Sequence, residues 1–502
     1  MKKLLSLLLL TAMLSALLVS CGEENESWRR QIGDDGLIYW YNDDDTYTLI
    51  GVNHYRSGEI SVNFFNGLPV VGIREAFRGS NGLTSIFLGE NVQTISSHTF
   101  YDCTSLKTVK GGHNLRIIGD YAFSGCSALE ELSFSASLTY IGSYCFRDCI
   151  NLRSLSLPDS VENVGMNAFQ NCSDALFTTY GGAVYAANQN NPYYFLCKPE
   201  SAEITSLNVH DDARLIINSA LANYTALSLV QLGSGLRAID DLAFKGCLSL
   251  ESIVFPSSLE TVGSCTFENC YALSSVVLNE NLKSIGEDAF YFCTGLVTNR
   301  HHGERYLGTA SNPYFYLFSS DDDSVTKVEL HPSTVIIGST VFHSFKQLSS
   351  ITIPSGVRVI DEGAFCNCDS LKKVVIPDSV ERINTDAFLG CESLKSLSLG
   401  DGLTYIGNSA FHGCDKLKKL TIPDTVTYID EWAFGSCDGL KSVTIGASVS
   451  YIGDSAFYGC ERLKKVYNLS SLRIAAGSKN YGEVALHAKK VYDTPPFKWP
   501  WE

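Results

Sequence analysis

Lysine recurs every 23 residues in the last third of the chain, and such a regular series of ammonium groups is suited to binding anions. The lysine column consists of Lys372, Lys395, Lys418, Lys441 and Lys464. Three further lysines, Lys373, Lys419 and Lys465, directly follow members of the column. At one strand spacing per unit, five units extend over about 20 Å. We expect an acidic partner there, a sulfated glycan or an acidic protein patch. The alternative is a solvated strand edge whose charges block aggregation.

Twelve of the 17 cysteines follow the same spacing, each three residues after a recurring phenylalanine position. They are Cys103, Cys126, Cys149, Cys172, Cys247, Cys270, Cys293, Cys368, Cys391, Cys414, Cys437 and Cys460. Stacked side chains that point in parallel fit disulfide geometry poorly. Cys366 and Cys145 each lie close to one of the twelve, but no histidine joins these pairs as a zinc site would require. We therefore expect a column of small buried thiols and no bound metal.

Two inserted segments carry the densest aromatic sequence. Residues 173–203 and 294–324 align without a gap at an offset of 121 residues. Their turn signals and aromatic runs predict a β-hairpin in each. The rings either pack on the edge of the repeats or project as a contact site for a glycan or protein. The candidate binding residues are Tyr193, Tyr194, Phe195, Tyr314, Phe315 and Tyr316.

No group of residues in the sequence predicts catalysis. His301-His302 has Glu304 nearby, but the first insert lacks these residues at the matching positions. Asp321–Asp323 lacks the further spaced ligands of a calcium loop. No glycine-rich nucleotide loop occurs, so we expect neither an enzyme nor a cofactor. The net charge of −16 disfavours nucleic acid as a partner.

The 23-residue period defines the elements that must position these side chains. Fifteen units occur in blocks of five, four and six, marked by Phe77 to Phe169, Leu221 to Phe290 and Phe342 to Phe457. Each unit starts with Leu-x-x-Leu-x-Leu, which predicts a short parallel strand. A core Ile follows, and then Gly, Asp or Asn, residue types that tolerate positive φ. Ala-Phe-x-x-Cys predicts a short helical turn.

These motifs closely resemble the BspA-type leucine-rich repeat family of bacterial surface proteins over roughly residues 60–465. The resemblance implies an α/β fold, a right-handed leucine-rich repeat solenoid of about fifteen 23-residue repeats with two β-hairpin inserts and terminal caps. It also implies surface display and adhesion to host or bacterial proteins or glycans, and it supplies no catalytic residues. A structural display or spacer protein without a dedicated ligand is the alternative. We expect a monomer.

The amino terminus predicts export. Met1-Lys2-Lys3 and an apolar run precede Leu18-Val19-Ser20-Cys21, which resembles a bacterial lipobox and implies a lipid on Cys21. An ordinary signal peptide is the alternative. The acidic residues that follow, Gly22–Glu26, resemble the export tag of some surface lipoproteins. We expect an outer membrane lipoprotein on the surface of a Gram-negative bacterium, with the lipid as its only contact with the membrane.

The remaining segments complete a predicted domain plan. Leu37–Tyr41 and Tyr47–Ile50 predict a strand–turn–strand cap, Tyr481–Tyr492 a short terminal helix, and Pro495–Trp501 an irregular tail. The predicted segments are 1–20 signal peptide, 21–75 linker and N-terminal β cap, 76–172 repeat block 1, 173–203 insert 1, 204–293 repeat block 2, 294–324 insert 2, 325–466 repeat block 3, and 467–502 C-terminal cap and tail.

Overall fold

Each repeat forms one coil that contributes two short strands to parallel sheets. The computed structural model describes residues 29–42, 45–52, 58–134, 136–188 and 190–493. The chain divides into two compact units, residues 1–177 with 187–190, and residues 178–186 with 191–502. The first strand of each coil comes from the Leu-x-x-Leu-x-Leu segment, and the second contains the core Ile.

The first unit is built on two sheets. One has the order β1-β2-β3-β6-β8-β10-β12-β14, with β5 on β6, and the other has the order β13-β11-β9-β7-β4. The strands are β1 Arg30–Ile32, β2 Leu37–Tyr41, β3 Tyr47–Val52, β4 Gly58–Val62, β5 Phe64–Phe65, β6 Leu68–Ile73, β7 Leu83–Leu88, β8 Thr94–Ile95, β9 Thr108–Gly111, β10 Ile117–Ile118, β11 Glu131–Ser133, β12 Tyr140–Ile141, β13 Ser154–Ser156 and β14 Asn163–Val164.

The second unit continues the same arrangement over more coils. Its strands, of which the first begins at the last residue of the first unit, are β15 Phe177–Tyr180, β16 Ala183–Ala186, β17 Phe195–Pro199, β18 Ser206–Asn208, β19 Leu215–Ile216, β20 Leu229–Gln231, β21 Ala238–Ile239, β22 Ser252–Val254, β23 Thr261–Val262, β24 Ser275–Leu278, β25 Ser284–Ile285, β26 Asn299–His301, β27 Glu304–Thr309, β28 Tyr316–Ser320, β29 Lys327–Glu329, β30 Ile336–Ile337, β31 Ser350–Thr352, β32 Val359–Ile360, β33 Lys373–Val375, β34 Arg382–Ile383, β35 Ser396–Ser398, β36 Tyr405–Ile406, β37 Lys419–Thr421, β38 Tyr428–Ile429, β39 Ser442–Ile445, β40 Tyr451–Ile452, β41 Lys465–Asn468 and β42 Lys490–Tyr492.

The repeat phenylalanines form the core by stacking from coil to coil. Consecutive rings within a block lie 5.0 to 6.0 Å apart between centroids and are nearly parallel. The Leu and Ile positions of each coil are buried beside them. Each coil therefore buries its apolar face mainly against its two neighbours, as in other repeat proteins.

The predicted helical turn at Ala-Phe-x-x-Cys is wrong. In each coil the residue just before this segment and the fourth residue within it are left-handed, for example His98 with φ of 59° and Asp102 with φ of 56° on either side of Phe100. A right-handed helix cannot contain such residues. The single helical segment in the described part of the chain is a 3-10 turn, Asp174–Leu176. The predicted repeat solenoid is confirmed as a parallel-stranded β-solenoid, and the α component of the predicted α/β class is absent from these residues.

The reason given for glycine after the core Ile is also wrong. Gly142, for example, is not left-handed, although a Cβ there would lie 2.4 Å from the backbone nitrogen of Asp120 and the carbonyl carbon of Gly119. Glycine is therefore favoured because adjacent coils approach closely at this point.

The two inserts fold as hairpins, as predicted, but they extend the solenoid. In the first insert, β16 pairs antiparallel with β17, and β17 pairs in parallel with β19. In the second, β27 pairs antiparallel with β28, and β28 pairs in parallel with β30. Each hairpin thus supplies a strand to a parallel sheet. With these strands and the caps, the described residues form about 19 turns, more than the fifteen repeats counted from the sequence.

The caps are variations on the coil. The predicted strand–turn–strand at the amino end is present as β2 and β3, which pair antiparallel. The short helix predicted at Tyr481–Tyr492 is wrong, because Tyr481 and Glu483 are left-handed like the repeat turns, and β42 then pairs in parallel with β41. The predicted tail Pro495–Trp501 lies outside the described residues.

In the ranges given above, the structure contains no helix with the length and apolar character needed to span a bilayer.

Candidate functional site

The lysine column lies on the exposed surface of the second unit. Each column lysine directly precedes a strand and is exposed to solvent, as are Lys373, Lys419 and Lys465. Backbone hydrogen bonds hold consecutive members together: the N–H of Lys395 donates to the carbonyl of Lys372 at 2.9 Å, and that of Lys441 to Lys418 at 2.9 Å. The sequence prediction of one aligned series is consistent with this geometry.

The C-terminal cap extends the column by one coil. The N–H of Lys489 donates to the carbonyl of Lys464 at 3.3 Å, and Lys490 pairs with Lys465. Both added lysines are exposed. Sequence reasoning missed them because the step from Lys464 is 25 residues, although Lys489-Lys490 repeats the doublet at Lys464-Lys465.

A second column of opposite charge runs beside the lysines. The acidic column consists of the residues directly after the repeat cysteines: Asp369, Glu392, Asp415, Asp438 and Glu461. Burial, followed by repulsion from Asp438 and Glu392, raises the pKa of Asp415, which shows that these carboxylates interact along the stack. The 23-residue period is a signal that could have identified this column, because each of its members lies three residues before a column lysine.

The column lysines are not neutralised by these carboxylates. Among the described residues, no member of the lysine column forms an ion pair. Asp369 instead pairs with Lys346, with an Nζ–Oδ2 distance of 3.5 Å, while the ammonium of Lys464 donates to the backbone carbonyl of Glu461 at 2.8 Å. The face therefore presents a positive stripe with a negative stripe alongside it.

The aromatic hairpin residues do not form a projecting contact site, which corrects that hypothesis. Tyr194, Phe195, Phe315 and Tyr316 are buried, because the hairpins pack into the solenoid and their rings fill its interior. The other two rings are half-buried and stack on histidines, Tyr193 on His210 at 3.8 Å and Tyr314 on His331 at 3.7 Å between centroids. These matched stacks support the hairpins structurally.

The repeat cysteines connect the coils. All twelve thiols donate a hydrogen bond to the carbonyl oxygen of the Phe or Leu position one coil earlier, with lengths from 2.9 Å at Cys103 to 3.6 Å at Cys414. No disulfide joins any two of the sixteen described cysteines, and burial raises the pKa of Cys103 to about 12. The expectation of a buried thiol column is confirmed, and its members remain protonated at neutral pH.

The second insert holds a polar cluster without metal-binding geometry. His301 stacks on His302 at 4.1 Å between centroids, Glu304 is buried, and Asp321 pairs with Arg300. Within the described residues, no group of three or more His, Cys, Asp or Glu side chains is placed to hold a metal ion.

A buried carboxyl group connects the second and third repeat blocks. Asp361 is 2% exposed and accepts hydrogen bonds from the Ile285 N–H at 3.1 Å and from the Asn384 amide at 2.8 Å. The Ser339 hydroxyl donates to the Ile285 carbonyl at 2.7 Å. The side chains of Asp361 and Ser339 thus satisfy the backbone N–H and carbonyl groups of Ile285 at the edge of β25. Burial raises the pKa of Asp361 to about 6.

Comparison with known proteins gives a family match over most of the chain. The family model described as "BspA type Leucine rich repeat region" matches residues 60–178, 194–302, 314–407 and 358–478. No curated protein matches the chain. Similar solved structures include a leucine-rich repeat protein from Bacteroides ovatus, with 22% identity, a TM-score of 0.28 and coverage of 87% of this chain and 94% of that chain. Another is a leucine rich cell surface protein from Faecalibacterium prausnitzii, with 24% identity, a TM-score of 0.29 and coverage of 93% and 98%.

Leucine-rich repeat solenoids are typically non-enzymatic scaffolds that bind other proteins, and no catalytic family is indicated for this chain. The family is associated with the cell surface in bacteria. Because the matched segments cover more than half of the sequence, the chain belongs to the BspA-type leucine-rich repeat family.

Proposed function

We propose that the protein is a surface-anchored adhesion and recognition protein that binds an extracellular acidic chain, of glycan or protein, along the lysine column. The observation that carries this proposal is the stack of six exposed lysines, from Lys372 to Lys489, that lack ion-pair partners among the described residues. Like charges on neighbouring strands destabilise one another. An acidic ligand laid along the column relieves that repulsion.

The acidic column favours a narrow ligand. A broad acidic surface that covered the lysines would also approach Glu392, Asp438 and Glu461, which are exposed beside them. Repulsion there opposes its binding. A single extended chain can contact the lysine column alone, and at one strand spacing per coil the six lysines cover about 24 Å. The ligand class proposed is therefore a linear polyanion, such as a sulfated glycan or an acidic peptide segment.

Replacing Lys395, Lys418 and Lys441 with glutamine should weaken binding to a sulfated polysaccharide by about tenfold or more. These side chains are exposed and outside the apolar core, so the variant should keep its folding stability. The matched control replaces Lys107, Lys110 and Lys327, three exposed lysines outside the column, and should bind normally. Binding is measured by surface plasmon resonance with sulfated, desulfated and polyglutamate ligands.

The same experiment decides between recognition and a structural spacer. Equal loss of binding in both lysine variants shows that only net charge matters. Unchanged binding in the column variant makes the column a solvated strand edge. Either result refutes the proposed site, and absence of binding to every acidic ligand favours the spacer function.

The proposed membrane attachment rests on Cys21, which lies outside the described residues. If a lipid is attached to its sulfur, Cys21→Ala should move the protein from the membrane fraction to the soluble fraction. Fractionation followed by immunoblotting measures this distribution, and protease shaving of intact cells tests exposure on the outer surface. Continued membrane retention of the variant contradicts lipid anchoring at this residue.

A further inference from the structure

An exposed apolar patch lies on the second repeat block, away from the lysine column. We define this patch as Leu248, Tyr271, Tyr291, Phe292 and Val297, whose exposed fractions are 41%, 50%, 47%, 51% and 76%. They belong to three successive coils that hydrogen bonds join directly: the N–H of Asn269 donates to the Tyr291 carbonyl, and that of Val297 to the Ser274 carbonyl. Contiguous apolar surface of this kind marks sites of protein interaction.

Phe292 adopts a strained backbone conformation without being buried. Its φ is 57°, in the left-handed region that disfavours large side chains. In every other repeat this position holds a small polar residue or glycine: Gly79, Asp102, Gly125, Asp148, Asn171, Asn223, Gly246, Asn269, Ser344, Asn367, Gly390, Gly413, Ser436 and Gly459. The Phe292 ring contacts that of Tyr291, with 4.2 Å between centroids, but both rings stay about half exposed, so the strained conformation indicates an external contact.

The third repeat block shows that the fold does not require these apolar residues. At the offset of 121 residues that aligns the two inserts, the counterparts of the five patch residues are Asp369, Glu392, His412, Gly413 and Lys418. The apolar surface is therefore specific to the second block.

The area of the patch limits what can bind it. Five side chains that are each about half exposed present about 500 Å². A stable interface of standard size buries about 800 Å² on each partner. Two copies of the patch are thus too small to hold a dimer alone, whereas a short aromatic peptide fits this area.

The chain itself contains such a peptide at its carboxyl end. Phe497, Trp499 and Trp501 alternate with other residues, the first two between Pro496 and Pro500 and the third directly after Pro500. When bound in extended form, alternate residues contact one surface together. Residues 494–502 lie outside the described part of the chain, and the length of this segment limits where it can bind.

The peptide cannot reach the patch of its own chain. Eight strand spacings, about 38 Å, separate Val297 from Lys489. The eight residues from Asp493 to Trp501 extend at most about 28 Å. We infer that the aromatic tail of one molecule docks on the apolar patch of a second copy, which joins molecules at the cell surface and departs from the monomer expected from the sequence.

Two full-length variants of the mature chain test this inference by complementation. The patch variant carries Tyr271→Glu, Phe292→Gly and Val297→Lys, the residues found at the matched positions. The tail variant carries Trp499→Ser and Trp501→Ser. Sedimentation velocity over a wide concentration range should show self-association of the wild type, weakened by about tenfold or more in each variant. A control with Leu229→Ser and Val375→Ser, at exposed positions outside the patch, should associate normally.

Mixing identifies the occupant of the patch. The tail variant retains an intact patch and the patch variant an intact tail, so the mixture should form 1:1 dimers. Association that persists in the tail variant but not in the patch variant indicates contact between two patches and overturns the inference. A monomeric wild type at all concentrations also overturns it, since the patch would then serve a different partner.

The thermal midpoint of the patch variant should be unchanged or higher, because glycine suits the left-handed position of Phe292.

Discussion

Phe388→Ala should lower the local stability of the third repeat block by about 3–5 kcal/mol. The ring is fully buried and stacks between Phe365 at 5.0 Å and Phe411 at 5.1 Å. Its removal leaves a cavity in the phenylalanine column that the rigid coils on either side cannot close. Because each coil packs mainly on its neighbours, the damage should remain close to the substitution.

Hydrogen exchange followed by mass spectrometry measures this locality. Peptides within residues 342–457 should lose protection, while those within 77–169 should exchange as in the wild type. Val375→Ala, at a position that is 50% exposed in the same block, is the control and should have little effect. Equal loosening of residues 77–169 in Phe388→Ala would contradict coupling between nearest neighbours.

Stability should decrease as the pH rises from 5 to 8, with buried carboxyl groups at the junction of the second and third blocks as the cause. Burial raises the pKa of Asp361 to about 6 and, with repulsion from Glu287 and Asp361, that of Glu362 to about 7. Burial and repulsion from Glu287 also raise the pKa of Asp386 to about 6. Hydrogen bonds from Asn384, Ile285 and Glu362 oppose the rise in the pKa of Asp361, and attraction to Arg382 opposes it less.

The direction follows from proton binding. The folded state holds protons that the unfolded state releases near its ordinary carboxyl pKa, so stabilisation is complete below about pH 4 and is lost as the pH rises through 6 to 7. A rise from 3.8 to about 6 at the 2% exposed Asp361 corresponds to at most about 3 kcal/mol.

Asp361→Asn tests this assignment because asparagine occupies the same position in the next coil, at Asn384. Urea unfolding at a series of pH values should show a smaller loss of stability between pH 5 and pH 8 in this variant. Asp401→Asn, at an exposed residue, is the control and should keep the wild-type slope. If Asp361→Asn also keeps that slope, Asp361 does not cause the pH dependence.

The sequence predicts those features of the fold that repeat in every coil. The spacing of Phe388, Cys391 and Leu394 is enough to place them in a stacked core, because a single coil cannot bury its apolar face alone. The turn around Phe388 was mispredicted since i, i+1, i+4 spacing fits either a helical turn or a pair of left-handed residues. The glycine after the core Ile was assigned to backbone freedom, whereas it reflects contact between coils that are distant in sequence.

The candidate site was predicted in part for the same reason. Lys395 and Lys418 align because the period aligns them. Lys489 belongs to a cap whose changed spacing hides it, and Asp361 contacts Ile285 across 76 residues of sequence that include the second insert. The aromatic residues were misassigned because Phe315 and Tyr316 carry no sequence signal that distinguishes a ring packed inside the solenoid from one that projects outside it.

The dependence of binding on salt concentration tests the central claim most directly. The affinity of the wild-type chain for a sulfated polysaccharide should fall steeply as salt increases, because the contact is made by exposed ammonium groups. The Lys395, Lys418 and Lys441 glutamine variant should bind more weakly and with a clearly shallower slope, while the variant at Lys107, Lys110 and Lys327 should follow the wild-type line. Identical slopes for the wild type and the column variant would contradict the proposal that the lysine column binds the ligand.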